Sequence, residues 1–201
     1  MSHLVTGIGT LISQLVILIA VAVPADASPF VSIVDPSFYR VPVSEPIQGT
    51  AFTVWAYYRI DGDNLVPAQP AEISEADRSV AKQQTVARAR MILKKLTPNP
   101  IRDTDGTIAA IVLESPDPTL SSVLLVPELS QRFEDILGPD YLVAVPNRRT
   151  LFLFPRLAGR IQSFAATVFS LYHNDPWPVS TEIFALKNGV LRVTDRFNDD
   201  F

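Results

Sequence analysis

Asn147, Arg148 and Arg149 are the group in this chain best suited to hold an anion. Adjacent guanidiniums offer planar donor forks that match a carboxylate or phosphate through paired hydrogen bonds. The same three residues also make an ordinary polar turn tip, or an arginine that ties the turn to a neighbouring acid. They are the candidate ligand-binding residues, and no residue is assigned as catalytic. His173 is the only histidine after His3, and it falls near the end of a predicted helix, where the dipole favours it. A general base needs a positioned partner, and no G-x-S-x-G elbow supplies one. Asp103, Asp105 and Glu114 have some of the spacing of a calcium loop. That loop requires glycine sixth, where this chain has Ile108, so the segment reads as a turn before a strand. With no cysteine and two histidines, thiolate catalysis, iron–sulfur clusters, thiolate zinc and multi-histidine metal sites are excluded. Carboxylate-only metal sites stay open, but no metal and no cofactor is assigned. The usual nucleotide fingerprints are absent.

Composition narrows the partners. Hydrophobic residues make up 47%, charged residues 19%, and the net charge is -4. This is a globular balance, and it argues against nucleic acid, which favours a strongly basic domain. An unknown protein or a small anionic ligand is the expected partner. A membrane enters only if the N-terminal segment is retained.

That segment, residues 1–27, reads as a secretory signal peptide. Leu15 to Val23 is an unbroken apolar run, and Ala25-Asp26-Ala27 is a small-x-small site that places cleavage before Ser28. No Lys or Arg precedes the run. Residues 4–23 are also long enough for an uncleaved membrane anchor, and a buried cytosolic element is a third reading. The expected compartment is therefore extracytoplasmic, with membrane anchoring as the alternative.

Residues 28–49 hold Pro29, Pro36, Pro42 and Pro46 and are expected to form an extended lead-in with little regular structure. Residues 50–194 then form a single α+β domain: a small mixed or antiparallel sheet packed by two main helices. Residues 195–201 are a short acidic tail. The centre of the domain is residues 141–155. Two apolar runs flank the Asn147-Arg148-Arg149 tip, and apolarity on both parities indicates strands covered on both faces. Residues 53–60 read as a strand. Residues 74–96 read as a helix, with Ser74 and Asp77 as a capping pair and Ile73, Ala76, Val80, Ala87 and Met91 as its apolar stripe. Its basic residues are Arg78, Lys82, Arg88, Arg90, Lys94 and Lys95. They make either an anionic-partner surface or a solvated face. Residues 107–114 and 122–126 read as strands, and 128–137 as a helix stopped by Gly138. Residues 157–172 form a second main helix, and 182–187 with 190–194 form a hairpin over Asn188-Gly189.

The second half resembles the YtpQ-like family of bacterial proteins of unknown function. Four pieces carry the resemblance: Asp105-Gly106 leading into Ser122 to Pro127, then Leu142 to Arg148, then Trp177-Pro178-Val179-Ser180, then Phe184 before Asn188-Gly189. This chain has Arg149 where the family has an acid, and it carries a secretory-type start. The resemblance implies a mixed α+β fold and no known reaction. A binding or interaction role without catalysis is the leading expectation. The alternative is a carboxylate-using hydrolase in which Arg148 orients an anionic substrate.

Overall fold

The structure is a computed structural model of the chain, and it describes residues 28–36, 41–51, 53–62, 64–156 and 161–197. Residues 1–27 and most of the acidic tail lie outside it. The fold is α+β; among the described residues it has a six-stranded and a four-stranded sheet and three α-helices, and every strand pairing there is antiparallel.

The proline-rich lead-in is not irregular. It contains β1 (Phe30–Pro36) and β2 (Ser44–Pro46), which flank β3 (Thr53–Asp61) on opposite sides; β4 (Asn64–Pro67) also pairs with β3. Pro36 and Pro46 end strands rather than interrupt them. The five residues Phe30 to Val34 carry enough apolar and β-branched side chains to pair fully with β3.

The first helix, α1 (Glu75–Lys95), starts at Ser74 with a complete capping box. Its buried line is Ala81, Thr85, Ala89 and Leu93, not the predicted stripe, most of which faces outward. The reason is close approach. Small side chains let α1 lie against β1, where the Thr85 hydroxyl donates to the Ser32 carbonyl at 2.8 Å and accepts from the Ser32 hydroxyl at 3.2 Å. Reading apolar residues alone discards the threonine that marks the contact.

The larger sheet runs β10-β9-β7-β8-β6-β5. These strands are β5 (Asn99–Arg102), β6 (Ile108–Glu114), β7 (Asp140–Asn147), β8 (Thr150–Pro155), β9 (Glu182–Lys187) and β10 (Val190–Arg196). The expected central hairpin is β7–β8, and both its faces are covered. Val143, Val145, Leu151 and Leu153 face a core roofed by α2 (Glu128–Leu137) and by Ala89 and Leu93 of α1. Ala144, Phe152 and Phe154 face a second core closed by Ala165 and Val168 of α3 (Ala165–Asn174). The expected strand at 122–126 is instead a 3-10 turn, Leu120–Leu125. Its leucines and valine pack as a plug into the first core, which a short apolar run can do in either conformation. The last hairpin forms as expected: Asn188 and Gly189 both have positive φ, 50° and 74°, the geometry that favours a two-residue turn.

The β2–β3 connection crosses the edge of the large sheet. Val193 N–H donates to the Gly49 carbonyl at 2.8 Å. Gly49 has φ 86°, and a Cβ there would stand 2.1 Å from the Leu191 carbonyl oxygen. Only glycine allows that approach.

Candidate functional site

Arg148 sits at the tip of the β7–β8 hairpin, and its position follows from the local chain. Pro146 carries no N–H, and the pairing of β7 with β8 shifts between Ala144 and Asn147. Asn147 then pairs with Thr150, leaving Arg148-Arg149 as the turn. The Asn147 side-chain oxygen accepts from Arg149 N–H at 2.9 Å and closes it. Beyond β7, residues 177–180 run alongside the hairpin. Arg148 N–H donates to the Trp177 carbonyl, Val179 N–H to Pro146 and Ser180 N–H to Val145. Trp177 is thereby fixed beside Arg148. Asp175 accepts from Trp177 N–H at 2.7 Å and braces the approach.

The Arg148 side chain points into the molecule and is only 2% exposed. Its Nε donates to Asp35 Oδ1 at 2.7 Å and its Nη2 to Oδ2 at 2.6 Å, a two-point pair with a carboxylate that is wholly buried. Nη2 also donates to the Tyr58 hydroxyl at 2.8 Å, and that hydroxyl donates to Asp35 at 2.5 Å. The guanidinium lies between two rings, 5.1 Å from the Tyr58 centroid and 4.5 Å from that of Trp177. Asp35 comes from β1, Tyr58 from β3 and Arg148 from the large sheet, so the cluster joins the two sheets.

Electrostatics follow the geometry. Burial alone would lower the Arg148 pKa, but the hydrogen bonds and charge of Asp35 outweigh it and raise the value. Burial, with the Asp35 charge, pushes the Tyr58 phenol up as well. Arg148 is thus held as a cation and Tyr58 as a neutral phenol.

The structure separates the three residues singled out from sequence. Asn147 is buried and closes the turn, Arg148 is spent on Asp35, and Arg149 is exposed. Of the alternatives for Arg148, tying the turn to an acid is what stands there. Sequence reasoning did not bring in Asp35 or Tyr58. The available signal was an acid at the end of an apolar run, Phe30 to Pro36; a buried carboxylate requires a partner.

The other candidates are placed as follows. His173 is exposed at the end of α3, and its ring stacks on Phe169 at 5.9 Å. Asp103 to Thr107 forms the β5–β6 turn: Asp105 accepts from Thr107 N–H at 2.9 Å, and Gly106 has φ 86°. Among the described residues, no three His, Asp or Glu side chains converge as for a metal. On α1, Arg78 and Lys82 meet Glu45, Arg88 meets Asp117 and Arg90 meets Glu128. Much of that helix's positive charge is thus answered within the molecule.

No protein family, curated protein or solved structure compared with the chain matches it. Among the described residues, no helix is long and apolar enough to cross a membrane.

Proposed function

We propose that this chain is an exported binding or interaction domain with no catalysis of its own, and that its contact surface centres on Trp177. One observation carries the reading. The Trp177 indole is 42% exposed, yet its inner side is stacked on a guanidinium that is itself immobilised by Asp35. An aromatic held rigid at the surface loses little freedom on docking, and tryptophan is among the residues that dominate binding energy at interfaces. Export rests on the apolar run and small-x-small site before Ser28.

The test replaces Trp177 with a photoreactive phenylalanine analogue in the producing cell, with the exposed Gln131 on the outer face of α2 as the control position. The reading expects one discrete adduct from position 177 and none from 131, on a protein recovered outside the cytoplasm with its mass starting at Ser28. Equal labelling at both positions, or none, would overturn it. A parallel titration with inorganic phosphate, followed by indole fluorescence, addresses an anion-orienting Arg148. The reading expects no saturable change.

A further inference from the structure

The α1 helix is apolar on two opposite sides, and the fold covers only one. Ala81, Thr85, Ala89 and Leu93 face inward. Ala76, Val80, Ala87 and Met91 form a second line that is exposed, Val80 at 39% and Met91 at 56%. At 3.6 residues per turn, the two lines lie roughly 170° apart around the axis. The outer line runs about 22 Å along the helix at 1.5 Å per residue.

We propose that this outer line is where a second copy of the chain docks, α1 against α1, antiparallel. It does not rest on the role given to Trp177. The argument is self-complementarity in both shape and charge. A two-fold axis between Gln83 and Gln84 sets Ala76 against Met91 and Val80 against Ala87, a small side chain under a larger one at each step. The exposed acid Glu72 just before the helix then meets the exposed Lys95 and Lys94 of the other copy. A parallel pair would put acid on acid and lysine on lysine. The two glutamines meet at the axis, where each amide supplies donor and acceptor; a polar pair inside an apolar seam fixes register. A single helix pair falls at the low end of interface sizes, below about 1,200 Å², so the dimer is concentration-dependent.

The absence of cysteine makes the test clean. Full-length Val80→Cys and Ala87→Cys chains, mixed and oxidised, should yield mainly the mixed disulfide, while Gln131→Cys chains stay single. In sedimentation equilibrium, Met91→Glu should weaken the dimer at least about tenfold. The Lys94→Glu/Lys95→Glu chain should be monomeric alone and dimerise again when mixed with Glu72→Lys. All these positions are exposed, and circular dichroism verifies that each variant keeps its helix content. A wild-type chain that is monomeric up to roughly millimolar concentration overturns the proposal. So does a dimer indifferent to Met91→Glu and to charge reversal, or a disulfide pattern dominated by Val80 to Val80.

Discussion

In the six-stranded sheet, Leu151 and Leu153 on one face and Phe152 and Phe154 on the other are all buried, each pair within an apolar core. In the four-stranded sheet, the buried positions of β1 include two polar ones, Ser32 and Asp35, each bonded to a different element. The first sheet is held by area, which tolerates small shifts. The second also reaches the apolar cores, through Val34, Ile47 and Phe30, but its position is set by directional bonds, among them Ser32 to Thr85 on α1 and Asp35 to Arg148 on the hairpin tip. Directional bonds define one docking position and fail abruptly when a partner is lost. The hairpin belongs to both regions, its flanks to the apolar core and its tip to the polar joint.

The largest effect should come from breaking the joint on one side. Asp35→Ala leaves the Arg148 cation buried without its acid and should cost about 3–5 kcal/mol in urea unfolding. Hydrogen exchange should then show β1 and β3 opening before β7 and β8. Phe154→Ala should cost a similar ~3–5 kcal/mol but lower protection first in β7, β8 and α3, because that core lies between the large sheet and α3. Replacing both partners, Asp35→Leu with Arg148→Met, should regain most of the loss, since an apolar pair needs no charge compensation. If Asp35→Ala alone cost under about 1 kcal/mol, as for an exposed pair, the two regions would not differ in the way described.

Thr85→Val should be milder, about 1–3 kcal/mol, because it removes a donor from the buried Ser32 carbonyl while keeping the side chain's shape. Its hydrogen-exchange signature should be confined to β1 and α1. Uniform loss of protection would place Ser32 and Thr85 in the global core instead.

The smallest effect concerns the half-exposed clamp on α1, where Glu45 of β2 meets Lys82 and Arg78. Burial would raise the Glu45 carboxyl, but the hydrogen bond and charge of Lys82 hold it below the usual carboxylate range. A depressed carboxyl contributes stability that is complete above its unfolded pKa and lost as pH falls through the folded one. Wild type and Glu45→Gln should therefore differ modestly at neutral pH and converge on acidification below the ordinary glutamate range of about 4.3. A gap that persists at low pH would assign the effect to packing rather than charge.

Much of the large sheet could be read along the chain. Alternating parities of Leu and Phe in 151–154, the Asn188-Gly189 turn and the Ser74–Asp77 cap each encode their own geometry locally, through pleat, positive φ and hydrogen bonding within three residues. The joint could not be read in that way, because its members lie 113 and 90 residues from Arg148. The prolines of residues 28–49 do not prevent β1, whose pairing depends on β3.

Sequence alone determined an α+β domain built on the 141–155 hairpin, without thiol chemistry, and with a basic helix capped at Ser74. Only the tertiary structure decided that Arg148 turns inward to Asp35, that α1 buries Ala81, Thr85, Ala89 and Leu93 rather than Val80 and Met91, and that residues 120–125 coil into a plug. The physical reason is the same in each case. Local propensity specifies which conformation a segment adopts, but which side faces inward depends on partners brought near only when both sheets have formed.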